Sequence, residues 1–245
     1  QQFYGYAPFD EASYAAAAAQ VKLDPAHRRA LVEALAVQNR DSGAAALAHL
    51  DKLSEAGTVV VASGQQVGLY TGPVFTIYKA LSAARLARAL GERGIPAVPV
   101  FWLATEDHDL EEINHVWVFD AANRPVRLQA QAQTQDHQPV GGVPVRDNAG
   151  AALREALSGL PFGDEVSRWA LEAYRDGATF GSGFQALLKR LLEPYGVLLL
   201  DPLAPAVRRL AAPLVRRAIE QAPELTAALL ERGRELQAGG YHVQV

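Results

Sequence analysis

The 245-residue sequence contains no cysteine. Disulfides, thiolate nucleophiles and cysteine-ligated metal centres are therefore excluded, and the composition suits a reducing cytosol. No apolar run approaches the ~20 residues that span a bilayer, and no charged start followed by an apolar signal segment is visible. A soluble, cytoplasmic protein without a membrane partner is expected. Basic excess is missing too: 23 Lys and Arg stand against 27 Asp and Glu, a net charge of −4. Such a balance gives no electrostatic footprint for nucleic acid. The pairs Arg208–Arg209 and Arg216–Arg217 fall on roughly one side of a helix. They read as a solvated face, with a phosphate or acidic-partner site as the alternative. No internal repeat occurs, and the one low-complexity patch is Ala15–Ala19.

What is present suffices for one sizeable core or two small ones, since 49% of the residues are hydrophobic. Three short apolar runs read as buried strands: TVVVASG near Val59, IPAVPVFWLA near Val98, and YGVLLLDP near Leu198. Helical patterns separate them. One opens with Asp24 as N-cap and Pro25 at the first helical position. A second covers about 42–53, and a third starts at Pro73 and ends at Gly91 and Gly94. Strand, helix and strand within about 45 residues predict a right-handed parallel βαβ unit. A period-2 run, Val116 to Phe119, predicts a further strand. Residues 121–150 are polar, with strand-like pieces PVRLQAQ and GGVPVRD, and look like an insertion. Residues 151–176 read as helical, with Trp169 and Tyr174 as packing residues. Thr179 or Ser182 caps the helix that follows, and two more helices come after the third strand, one with Pro213 inside or at a joint and one opening near Pro223. In the terminal AGGYHVQV, Tyr241, Val243 and Val245 alternate as a strand would, so the sequence reads as a fragment of a longer protein.

In a parallel α/β sheet, ligands sit outside the carboxyl ends of the strands. The segments there are GQQVGLYTGP and TEDHDLEEINH. In the first, Gly64, Gly68 and Gly72 let backbone approach a ligand or take positive φ. The helix start at Thr71-Gly72-Pro73 offers free N–H groups to a phosphate. Gln65 or Gln66 can orient a polar substrate through an amide that both donates and accepts. The alternative is a plain βα turn whose glutamines cap backbone groups. In the second segment Glu106, Asp107, Asp109, Glu111 and Glu112 crowd around His108, with Asn114 and His115 close behind. Carboxylates beside an imidazole favour its charged form and fix its tautomer. His108, flanked by Asp107 and Asp109, is thus a candidate general base or acid. A metal held by the same cluster is the alternative. Glu111 and Glu112 read as acids favouring a helix dipole. His27 and His49 read as surface residues, and His137 and His242 receive no role.

The stretches SGQQVGLYTGPVFTIYKALSAARLA and VPVFWLATEDHDLEEINHV resemble the family of bacillithiol biosynthesis cysteine-adding enzymes, also called cysteine ligases. TFGSGFQALLKRLLEPYGVLLLDP, VRRLAAP and GGYHVQV follow in the same order. The resemblance is strongest over 59–119 and weakest over 121–175. It implies a Rossmann-like core similar to class I aminoacyl-tRNA synthetases and nucleotidyltransferases, with helical insertions. On that basis residues 1–56 form a helical segment, 57–120 the first part of the core, 121–178 a connecting insertion, and 179–245 the return to the core and the start of a C-terminal part. The resemblance further implies homodimers paired by a C-terminal coiled coil beyond this sequence. The implied reaction joins cysteine by an amide to the amine of glucosaminyl-malate. ATP or another nucleotide is the expected cofactor, and no metal is assigned. Candidates carried forward are His108, Asp107 and Asp109 for catalysis, Gln65, Gln66, Asn114 and His115 for substrate, and Gly68, Thr71 and Gly72 for phosphate. A metal-dependent hydrolase or phosphotransferase, or a non-catalytic nucleotide-binding subunit, are the competing readings.

Overall fold

The three apolar runs pair as a parallel sheet in the computed structural model, which describes residues 3, 5–7, 10–133 and 137–243. Strand β1 (Val59–Gln66) runs beside β2 (Ala97–Ala104), with Gln66 opposite Ala104 at the carboxyl end. β2 is central and almost wholly buried, which is why it reads as a continuous hydrophobic run. A short antiparallel pair, β3 (His115–Phe119) and β4 (Pro125–Gln129), forms a separate two-stranded sheet. β5 (Leu198–Leu200) completes the main sheet on the far side of β2, in the order β1-β2-β5.

The outer edge of β5 is closed by a side chain. Asn39, fully buried near the end of α2 (Pro25–Asn39), donates to Leu199 O at 2.8 Å and accepts from Leu199 N at 2.8 Å. Its amide supplies the pair of bonds that a fourth strand would otherwise make. The helix starts as its sequence demands, with Asp24 accepting from Ala26 N and His27 N and Pro25 just inside. Upstream lies α1 (Glu11–Gln20), into which the Ala15–Ala19 patch folds, and α3 (Ala44–Ser54) leads into β1. α4 (Phe75–Glu92) connects β1 to β2, and the single turn α5 (Leu110–Ile113) precedes β3.

The stretch 121–178 packs into the same core as the sheet. Val140, Val143 and Tyr174 share a buried cluster with Val67, Phe101 and Leu103. GGVPVRD does not form a strand. Its residues contribute to a 3-10 turn at Val140–Gly142 and to two isolated bridges, Pro144 to Thr179 and Asp147 to Gln131. The helical region 151–176 is two helices, α6 (Gly150–Leu157) and α7 (Gly163–Ala173), broken where Gly159 and Phe162 take positive φ. α8 (Phe180–Leu192) begins with a reciprocal capping box between Thr179 and Ser182.

Residues 1–204 form one compact unit and 205–245 another. The second consists of α9 (Pro205–Glu220), with Pro213 inside it, and α10 (Ala222–Ala238). Arg208 and Arg216 line one shallow groove of α9, and all four paired arginines are exposed. Tyr241–Val243 form no strand, and Val245 lies outside the described residues. Among the described residues no helix is long and apolar enough to cross a membrane.

Candidate active site

Side chains from the ends of β1 and β2 meet because the strands are adjacent and in register. Gln65 and Gln66 do not sit in a loop: they are the last two residues of β1, opposite Leu103 and Ala104. Consecutive strand residues point to opposite sides, so the two amides part company. Gln65 Oε1 accepts from Lys79 Nζ of α4 at 2.9 Å. Gln66 Nε2 donates to Asp107 and also to Glu112 Oε2, at 2.9 Å for the latter. One amide thereby bridges β1 to two carboxylates of the acidic loop. Gln65, Gln66, Gly68, Gly72, Glu112 and His115 surround a cleft of about 330 Å³. A larger cavity, about 710 Å³, lies by Lys52, Arg85, Ala97 and Tyr195. Ala97 begins β2, so that cavity is at the amino end of the strands, away from every loop discussed above; the smaller cleft has the position expected of a site.

The glycine-rich turn is strained. Tyr70, Thr71 and Gly72 have successive positive φ values of 51°, 78° and 65°. For the two L-residues this costs roughly 1–2 kcal/mol each. Two tyrosines brace the turn. Tyr174 OH donates to Gly68 O at 2.9 Å, Tyr70 OH donates to Asn148 O, and the two rings meet edge to face at 5.2 Å. Burial pushes both hydroxyls far above the usual tyrosine range, so they remain donors. A Cβ on Gly68 would come within 2.9 Å of Gly72 Cα, so the turn closes backbone on backbone. Thr71, one of the three residues expected to meet a phosphate, is buried and lies outside the cleft lining, whereas Gly68 and Gly72 line it. Pro73 does not open the helix either. The left-handed residues before it delay α4 to Phe75, and Thr76 N reaches back to Pro73 O in a tighter first turn. No side chain caps that start, which borders the cleft through Gly72, Pro73 and Phe75.

In the acidic loop each carboxylate has its own engagement. Asp107 accepts from the side chain of Gln66 and from the backbone N–H groups of His108 (2.7 Å) and Asp109 (3.3 Å). These donors, Gln66 foremost, hold its carboxyl below the usual range. Asp109 caps α5, accepting from Glu112 N at 3.1 Å, and Glu111 and Glu112 occupy the first turn as acids favouring the dipole. Glu106 accepts from Trp102 Nε1 at 3.1 Å. The His108 ring is thus less constrained than its neighbours in sequence suggest. Its Nδ1 stands 3.8 Å from Asp107, beyond hydrogen-bond length, and its side chain is 63% exposed. His108 itself is not among the residues lining the cleft; Gln66 and Asp107 connect the two. Asn114 stands behind His115, with its side chain 3.3 Å from His115 Nδ1 and its carbonyl accepting from Ala130 N. Among the described residues no three or more His, Asp or Glu are disposed to hold a metal ion.

His137 is the residue that sequence reasoning missed. Its ring centroid is 5.5 Å from that of His108. The segment carrying it is pinned to the acidic loop by backbone bonds, Val140 N to Asp107 O at 2.7 Å and Gly141 N to Thr105 O at 3.0 Å. Any Cβ at Gly141 would lie 2.4 Å from Thr105 Cβ, so only glycine permits this approach. A histidine in a polar stretch without periodicity carries no local signal of such a meeting.

The whole chain, residues 1–245, matches the family model described as "Bacillithiol biosynthesis BshC, N-terminal Rossmann-like domain". The chain belongs to the BshC family. Among curated relatives, each named "Putative cysteine ligase BshC", it is 50% identical over 243 residues to that of Solibacter usitatus, covering 99% of this chain and 45% of the relative. It is 37% identical over 250 residues to that of Koribacter versatilis, covering 100% and 46%. Against that of Geobacillus thermodenitrificans it is 30% identical over 245 residues, covering 97% and 45%. The chain therefore spans a little under half the length of these BshC proteins. The Rossmann-like expectation and the parallel sheet agree, and the motifs that resembled the family lie at the carboxyl ends of β1 and β2.

Proposed function

We propose that this chain is the Rossmann-like part of a cytoplasmic ligase that joins the carboxyl group of cysteine to the amine of glucosaminyl-malate, the last step of bacillithiol synthesis. The observation that carries this reading is the Gln66 amide spanning from β1 to Asp107 and Glu112, which sets an amide-lined cleft beside an exposed imidazole. Amide formation from a carboxylate needs an activated acyl group and a neutral amine. The uncapped first turn of α4, with Gly68 and Gly72 leaving the backbone bare and Phe75 half-exposed beside them, fits the phosphate end of a nucleotide. A bound nucleotide would supply activation of the carboxylate, as acyl phosphate or adenylate. Gln65, Gln66 and His115 orient polar groups in the cleft, and His108 accepts the amine proton. Homodimer formation belongs, in this reading, to a segment beyond these residues.

The test is a strain deleted for the full-length gene, in which bacillithiol should vanish and glucosaminyl-malate accumulate. Normal thiol with no accumulated precursor removes the proposal. Complementation with His108→Ala is expected to restore little thiol.

A further inference from the structure

His108 and His137 approach each other from separate parts of the chain, and both are exposed. Their planes are tilted by 49°, so the rings are not stacked. Two acceptors sharing one tetrahedral nitrogen at the usual ~2.9 Å stand about 4.7 Å apart. Ring nitrogens lie roughly 1.1 Å from the centroid, so two centroids 5.5 Å apart bracket that spacing. The loop that carries His108 also holds Glu106, Asp107 and Asp109, acids that draw a basic molecule toward it. The backbone of His137 is held in the left-handed region at φ 57°, a conformation that recurs at binding sites. The bond from Val140 N to Asp107 O ties its segment to the loop that carries His108.

We infer that His108 and His137 together form a subsite for a primary amine, each imidazole accepting one N–H. The inference rests on the ligase reading above and names the place of its nucleophile. As the amine nitrogen bonds to the acyl carbon, one N–H proton passes to the free nitrogen lone pair of His108. The acyl C–O bond breaks, and its electron pair leaves with the phosphate or nucleotide. His137 keeps the nitrogen in place and is a substrate-positioning residue. The segment 121–178 thereby contributes to the site through a side chain as well as through its backbone.

The experiment uses the full-length protein with His137→Ala and His137→Gln. Since His137 is exposed, neither substitution should disturb folding. Losing one hydrogen bond between neutral groups, worth about 1 kcal/mol, should raise KM for the amine substrate about three- to tenfold. KM for cysteine should stay within about twofold, and added imidazole should restore part of the activity of His137→Ala, which a purely structural role would not allow. An unchanged amine KM in an active enzyme overturns the inference and leaves the ligase reading standing. No product from the wild-type chain with all substrates removes the ligase reading instead. The subsite is then tested by NMR of the His108 and His137 ring protons: glucosamine should move them and N-acetylglucosamine should not. Equal shifts, or none, overturn it.

Discussion

Gln66→Leu is the most direct probe of the bridge between β1 and the acidic loop. It removes the donor and keeps most of the side-chain volume. A hydrogen bond to a charged group is worth about 1.5–3 kcal/mol net. Asp107 is a quarter exposed, and solvent screening lowers the value to about 1–1.5 kcal/mol. That corresponds to about a tenfold change in proton affinity. The sign follows from the donor: Gln66 favours the carboxylate, so its loss should raise the Asp107 carboxyl toward its ordinary 3.8. Because the folded value is depressed, the stabilisation is complete above 3.8 and is lost as pH falls through the folded value. Wild type should therefore lose about 1 kcal/mol more stability than Gln66→Leu between neutral pH and pH 2. Gln66→Glu should raise the Asp107 carboxyl further, since it sets a like charge beside it. Carbon-detected NMR titration of Asp107, with urea unfolding at both pH values, measures these effects. If Asp107 titrates identically in wild type and Gln66→Leu, the bridge does not hold the loop.

Two further substitutions test the supports of the site. Asn39→Ala leaves Leu199 N–H and C=O without partners in a buried place, at about 1–3 kcal/mol per group; a large drop in urea midpoint is expected, and a midpoint near wild type would mean that water replaces the amide. Tyr174→Phe keeps the ring contact with Tyr70 but frees Gly68 O, costing about 1–3 kcal/mol. Amide hydrogen exchange at Gly68–Gly72 should accelerate, and unchanged exchange would show that Tyr70 alone suffices as a brace.

The sheet was legible because β2 and β5 are almost wholly buried and read as unbroken apolar runs, while β1 reads as one because its exposed positions, Val60 and Ala62, are apolar as well. Their carboxyl ends were less so. Gln65 and Gln66 look like loop residues, since polarity usually marks the end of a strand, yet both stay in register with β2. Pro73 suggested a helix start by a sound local rule, which fails because two non-glycine residues before it adopt positive φ under tertiary constraint from Tyr174 and Asn148. Asp109 followed by Glu112 is also a helix-start signal, and the Asp109 carboxylate is used that way. His137 and Asn39 were illegible for one reason: each acquires meaning only from a partner far along the chain, Asn39 from Leu199 and His137 from His108.

The anchors from Val140 and Gly141 to the acidic loop run through main-chain N–H groups. Such anchors are largely blind to which side chains neighbour them, apart from the glycine itself. Evolution is therefore free to rewrite the surface laid over His108, residue by residue, without loosening the attachment that delivers it. Side-chain chemistry beside His108 and integrity of the sheet are separately adjustable in this architecture.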